Sequence, residues 1–232
     1  NHFLLRQHDR VTSVGNFVRD ALIRNEGIAA SRIDVIYNGI DPRVFPPRPR
    51  DPHVSDARTR LRQELNLAPE TPVLLQVARF HPVKDHATSL HALALLRQTM
   101  RAADEPEPVL LLAGDGEKRA ELEALARDLH IADHVKFLGV RNDVSSLMQA
   151  SDVFVLSSLS EGISVTLLEA MATGLPIACT DVGGNREVVG PDECPKSGLL
   201  SPRSDHAGLA RNIQRLLLDK SLHQSCADAG PQ

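Results

Sequence analysis

From residue 71 onward, short uninterrupted apolar runs alternate with longer stretches in which apolar residues recur every third or fourth position. The runs are 73–78 (VLLQVA), 109–113 (VLLLA), 135–138 (VKFL), 153–156 (VFVL), 175–180 (LPIACT) and a short 198–200 (GLL). A run that is apolar at successive positions fits a strand covered on both faces, the condition inside a parallel sheet. The intervening stretches, at about 86–100, 118–130, 144–150 and 205–222, predict helices. Strands alternating with helices predict the α/β class, with a doubly wound parallel sheet.

Upstream the pattern is weaker. Residues 10–14 (RVTSV) and 33–37 (IDVIY) predict two short strands around a helix at 16–26, with Asn16 as its cap. Asn38-Gly39 turns the chain, and Asp41-Pro42 continues the turn. Residues 45–56 (FPPRPRDPHVSD) suit an extended linker, whose arginines read as solvated rather than as a phosphate site. A short amphipathic helix at 57–67 ends at Ala68-Pro69.

A chain of 232 residues can hold one large or two small domains with a proper core. Its formal net charge of -4 leaves no basic footprint for nucleic acid. Aromatic residues make up 3% with no Trp, which argues against base-stacking platforms and ring-lined sugar-binding modules. Cys179, Cys194 and Cys226 show neither paired nor metal-like spacing, and read as reduced, cytosolic thiols. No apolar run approaches the ~20 residues that span a bilayer, and NHFLLRQHDR is not a signal peptide. The chain opens without Met and stops at Ala-Gly-Pro-Gln soon after a predicted helix, so it reads as a piece of a longer protein.

In an open parallel sheet, ligands sit at the carboxyl ends of the strands, so the loops there carry the candidate chemistry. The first holds Arg79 and Lys84, two cations that fit a diphosphate, with Arg forking two oxygens and Lys acting as a point charge; a solvated surface pair is the alternative. His81 and His86 have no metal-type residue at ligand spacing and read as polar loop residues. Gly114-Asp115-Gly116 reads either as a phosphate cradle or as a tight turn capped by Asp115. Val140-Arg141-Asn142-Asp143 lies on the same rim, with Asp143 as a helix cap. Asp181-Val182-Gly183-Gly184-Asn185 reads as a structural turn, with Glu187 further on.

The richest stretch is 160–189 (SEGISVTLLEAMATGLPIACTDVGGNREVV). A loop with Glu161 passes into a helix, and the unpaired N–H groups at Gly162-Ile163-Ser164-Val165 offer an anion seat. Gly162 permits close backbone approach and Ser164 is placed to cap. Glu169 then stands alone on an apolar helix, where a carboxylate needs solvent, a partner or a ligand. Nothing places the two Glu residues across one bond as a glycosidase acid/base pair.

This stretch resembles the donor-binding signature of family-four retaining glycosyltransferases, in which two Rossmann-like domains face each other across a cleft (the GT-B architecture). The signature is a Glu, seven residues and a second Glu inside a run much like EGISVTLLEAMATGLPIACTDVGG. The usual Gly is here Ser164, and Ile163 stands where Phe is frequent. The resemblance implies transfer of a sugar from a nucleotide-diphosphate sugar, UDP- or GDP-linked, with retention of configuration. It implies that Arg79 and Lys84 hold the diphosphate and stabilise its departure, and that Val140 and Arg141 border the nucleobase; Gly114 joins the donor-binding residues where its turn is read as a phosphate cradle. It gives Glu161 the donor-sugar hydroxyls and Glu169 the ribose hydroxyls. No enzymic nucleophile is assignable, and no Asp-x-Asp pair of the metal–diphosphate kind is present, so a metal-independent site without a cofactor is expected.

The resemblance extends to the NGxD at 38–41. It divides the chain into 1–41, the tail of an N-terminal acceptor domain and hinge; 42–70, linker and lead-in helix; and 71–232, the Rossmann-like nucleotide-sugar domain. Expected partners are the nucleotide sugar and an acceptor saccharide or lipid-linked saccharide. The expected location is cytoplasmic, peripheral to the inner face of the membrane where the acceptor is a lipid, with a role in polysaccharide synthesis. A non-catalytic scaffold on the same fold and a sugar-nucleotide epimerase are the alternatives.

Overall fold

The computed structural model describes residues 9–48, 56–190 and 197–230. Two parallel strands, β1 (Val11–Ser13) and β2 (Ile33–Val35), flank helix α1 (Asn16–Glu26). Helix α2 (Asp56–Glu64) then precedes a regular alternation. The elements are β3 (Val73–Val77), α3 (His86–Ala102), β4 (Val109–Ala113), α4 (Arg119–Asp128), β5 (Val135–Gly139), α5 (Val144–Ala150) and β6 (Val153–Leu156). They continue with α6 (Val165–Ala172), β7 (Ile177–Thr180), α7 (Asn185–Val189), β8 (Gly198–Ser201), α8 (His206–Leu218) and α9 (Lys220–Ala229). Strands β3 to β8 form one parallel sheet in the order β5-β4-β3-β6-β7-β8, the expected α/β architecture.

The uninterrupted apolar runs follow from two dry faces. Leu74, Leu110, Leu112, Val153, Val155 and Ala178 pack against α3, α4 and α8. Their neighbours Val73, Leu75, Leu111, Phe154, Leu156 and Ile177 pack on the other side against α5, α6 and α7. Successive side chains on a strand point to opposite faces, so a sheet covered twice requires an apolar residue at every position. Each large side chain buried this way contributes roughly 1.5–3 kcal/mol.

Several local expectations change. The expected helix at 205–222 is two helices, because Asp219 leaves helical geometry (φ -88°, ψ 93°) and its carboxylate accepts the Leu222 N–H at 2.9 Å to start α9. Asn16 is the first residue of α1 and Gly15 occupies the cap position, without a side-chain cap. The linker arginines are not uniformly solvated. Arg48 donates its backbone N–H to Thr173 O at 2.9 Å, and its guanidinium donates to the Ser151 and Gly174 carbonyls. Burial lowers its pKa to about 10 against the opposing pull of Asp152. The rest of that linker, 49–55, lies outside the described residues, as does Cys194.

Candidate functional site

Strands β4 and β5 lie on one side of β3, while β6, β7 and β8 lie on the other. The winding therefore reverses between β3 and β6. At such a point the two following loops diverge and open a crevice at the carboxyl edge of the sheet. The loop after β3 carries Arg79 and Lys84; the loop after β6 carries Ser157 to Ser164.

Lys84 ends a single 3-10 turn, Pro82–Lys84, and Asp85 follows in the left-handed region at φ 43°. This reversal brings Lys84 Nζ within 2.6 Å of Glu161 Oε1, with side-chain exposures of 24% and 9%. The Ser158 hydroxyl donates to the same oxygen at 2.6 Å. Ser157 ties the loops from beneath, with its hydroxyl 2.7 Å from Asp85 O and 3.1 Å from Lys84 O, and it accepts from Ser89 at 2.9 Å. The Leu159 N–H also donates to Val83 O at 2.8 Å. Two loops from separate strands are thus joined through backbone and side chain. The sequence pattern does not single out Ser157 and Ser158; their signal is a pair of small polar residues directly after the apolar run VFVL.

Glycines set the depth of this joint. Gly183 has φ +58°, and a Cβ there would fall 1.7 Å from Glu161 O. Gly184 donates its N–H to Gly162 O at 2.8 Å. The Asp181–Asn185 turn is therefore a backing plate for the Glu161 loop, in keeping with its structural reading. A Cβ on Gly114 would lie 2.1 Å from Ala78 O, and one on Gly116 2.5 Å from Phe80 O. These two glycines let the second loop lie against the Arg79 loop. Asp115 is not a helix cap: Lys118 precedes α4, and the Asp115 carboxylate accepts the N–H of adjacent Gly116 at 2.7 Å.

Helix α6 begins at Val165, which is exposed, after buried Ile163 and Ser164. Ser164 holds the cap position, but its hydroxyl meets Thr166 Oγ1 at 3.0 Å instead of capping a backbone N–H. A Cβ on Gly162 would meet Val18 Cγ2 at an ordinary 3.6 Å. Glu169 is half-buried, its carboxylate has no hydrogen-bond or ion-pair partner among the described residues, and burial raises its pKa. Arg79 is exposed, and its guanidinium is likewise without a partner among them.

The third loop is organised differently from expectation. Arg141 pairs with Glu64 of α2 at 2.9 Å and with Asp143 at 2.7 Å. Asp143 sits at the cap position of α5, yet its carboxylate goes to Arg141 and caps no N–H. The hydrogen bonds that Arg141 donates to the Asp143 and Glu64 carboxylates raise its pKa further. Val140 beside it is 77% exposed. The edge strand β5 keeps this loop away from the Lys84–Glu161 contact, with β3 and β4 between it and β6.

The two histidines also separate. His81 Nδ1 accepts the Val83 N–H at 3.3 Å within the loop. His86 is not a polar loop residue but a buried one, 2% exposed, edge-on to Phe80 with ring centroids 4.9 Å apart. Its Nε2 has no partner among the described residues, and burial, aided by Lys84, lowers its pKa to about 4. Among the described residues, no three His, Cys, Asp or Glu side chains gather closely enough to hold a metal ion. No helix among them is long and apolar enough to cross a membrane.

Residues 57–232 match the family described as glycosyl transferases group 1, and residues 1–44 match glycosyltransferase family 4. N-acetyl-alpha-D-glucosaminyl L-malate synthase of Bacillus anthracis is 31% identical over 97% of this chain and 55% of its own length. The lipopolysaccharide core biosynthesis glycosyltransferase LpsE of Rhizobium meliloti is 33% identical over 73% of the chain and 46% of its own. The chain thus spans about half the length of the curated relatives it matches. Among solved structures, Anabaena Alr3699/HepE in complex with UDP-glucose superposes with TM-score 0.83 at 27% identity, covering 96% of this chain and 58% of that one. With the sheet matching GT-B glycosyltransferase structures and the family match running from α2 to the end, this chain belongs to glycosyl transferases group 1.

Proposed function

We propose that this chain is the donor-binding half of a family-four retaining glycosyltransferase, which moves a sugar from a nucleotide-diphosphate sugar to an acceptor hydroxyl. The observation that carries the reading is the Lys84–Glu161 contact of 2.6 Å at the reversal of the sheet, beside the first turn of α6. A cation and a carboxylate at one crevice suit a guest with a diphosphate at one end and sugar hydroxyls at the other. Lys84, Arg79 and the α6 dipole would take the charge that builds as the C1–O bond to the diphosphate breaks. The acceptor oxygen attacks from the face the diphosphate leaves, and its proton passes to the departing phosphate oxygen. Glu161 would take sugar hydroxyls and Glu169 the ribose diol, since a carboxylate offers about four lone-pair sites to two donors. Gly162, Ile163, Ser164 and Val165 form the seat at the start of α6, and Gly114 supports the Arg79 loop.

HepE crystallises with UDP and with UDP-glucose, which favours UDP as the first nucleotide to test. The reading assigns residues 1–41 to the acceptor side and hinge, 42–70 to linker and lead-in helix, and 71–232 to the donor domain. Acceptor groups would then come from sequence beyond this chain, so the chain alone binds nucleotide weakly and transfers little. Calorimetry of the chain with UDP, GDP and ADP tests the first statement. Saturable binding of one of them, weakened about tenfold or more in Lys84→Ala, is expected for loss of a charge-assisted contact. Binding of none overturns the donor assignment. In the intact enzyme, an α-linked donor is expected to yield an α-linked product insensitive to EDTA; an inverted anomer in the product spectrum overturns retention.

A further inference from the structure

Glu187 of α7 reaches out of the second half of the chain into the unit formed by β1, α1 and β2. Its Oε1 accepts the Phe17 N–H at 2.6 Å, and its Oε2 accepts the Asn16 N–H at 2.9 Å and the Tyr37 hydroxyl at 3.1 Å. The Asn16 side-chain amide donates to the same Tyr37 oxygen at 2.6 Å. The first N–H groups of a helix have no acceptor within it, and they lie at the positive end of its dipole. Here the acceptor is a carboxylate 171 residues from Asn16 in sequence. Partial burial works against its ionised form, yet the two amides and the hydroxyl hold the carboxyl below its usual range.

The same joint bears on the loop after β6. A Cβ on Gly15 would lie 2.7 Å from Ile163 Cδ1 and 3.3 Å from Glu187 Oε2. A Cβ on Gly184 would lie 2.9 Å from that same Ile163 atom and 2.4 Å from Gly162 O. Ile163 is thus held between the turn that opens α1 and the turn that opens α7, two residues from Glu161. Any shift of α1 away from Glu187 removes one wall of the pocket that holds Ile163.

Resting on the donor-binding reading, we propose that Glu187 is a positioning residue. By gripping the first turn of α1, it fixes the loop 161–165 on which the nucleotide sugar would sit, without touching the sugar itself. The test is amide hydrogen exchange together with UDP calorimetry on the intact protein, wild type and two variants. Glu187→Ala removes the acceptor. Gly15→Ala keeps the carboxylate and drives Ile163 and α1 apart, and it carries the comparison should Glu187→Ala not fold. Expected in both are exchange about fivefold faster at 15–18 and at 160–166, UDP affinity about fivefold weaker, and unchanged exchange in β3 and β4. Glu187→Asp, which keeps the charge, is expected to recover part of the affinity. Faster exchange confined to 15–18, with loop exchange and UDP affinity as in wild type, makes Glu187 a helix cap only and overturns the proposal. A wild type that binds no UDP, GDP or ADP defeats the donor reading separately, and exchange at 160–166 then decides the joint by itself.

Discussion

One oxygen of Glu161 takes both the Lys84 ammonium and the Ser158 hydroxyl, each at 2.6 Å, with the carboxylate largely shielded from water. Removing the cation alone leaves a poorly hydrated charge behind. Lys84→Ala is therefore expected to destabilise the fold by about 1–3 kcal/mol in urea denaturation. The double variant Lys84→Ala/Glu161→Gln is expected to lose less than Lys84→Ala alone, which is the signature of a coupled pair. His86 gives a second residue-scale expectation. Its pKa of about 4 when folded lies below the ordinary 6.5, so the unfolded chain binds more protons between those values. Stability from His86 is then complete above pH 6.5 and falls with pH down to about 4, by up to about 1.4 kcal/mol per unit. A His86→Leu variant is expected to show that much less slope in denaturation midpoints measured across this window.

At the scale of elements, the strands were legible in the sequence and the helix caps were not. A strand between two dry faces announces itself in every residue, as VLLLA does in β4. A cap is a single short polar side chain with several possible partners. Ser164 found Thr166, Asp143 found Arg141, and Asp115 found the N–H beside it. The first turn of α1 was served by Glu187, which no local window contains. Asp219 did cap α9, but the apolar periodicity running through it hid the break. Turns built by contact are equally hidden: Gly183 is needed because Glu161 O lies where its Cβ would be. Gly183→Ala is expected to cost about 2 kcal/mol or more by thermal denaturation, and to weaken nucleotide binding through the displaced loop.

For the whole molecule, the reversal of strand order between β3 and β6 is what turns scattered loop residues into neighbours. Lys84 and Glu161, 77 residues apart, meet because of it. The sequence placed both on the right rim, since each follows an apolar run. It also placed Arg141 on that rim, after β5 at the sheet's edge, where its side chain pairs with Glu64 of α2 and with Asp143. Core depth differs across the chain in the same way. Leu74, Leu75, Leu110, Leu111 and Phe154 are essentially inaccessible, whereas Phe17, Ile36 and Tyr37 near β1 and β2 are exposed. Native-state hydrogen exchange is therefore expected to be slowest in β3, β4 and β6 and fastest in β1 and β2, with the two groups separating by several kcal/mol of opening energy, at least ~2.

The mutual neutralisation of Lys84 and Glu161 bears on discrimination. A lone ammonium in a crevice attracts any small anion, and a cell offers phosphate and sulfate in abundance. An ammonium already matched by a carboxylate exerts little net field on such ions. On the proposed donor reading, a nucleotide diphosphate brings holds that a bare ion lacks, its second phosphate for Arg79 and its ribose diol for Glu169. The contact thus acts, on that reading, as a sieve against stray inorganic ions, which a nucleotide passes because it holds the crevice at more than one point.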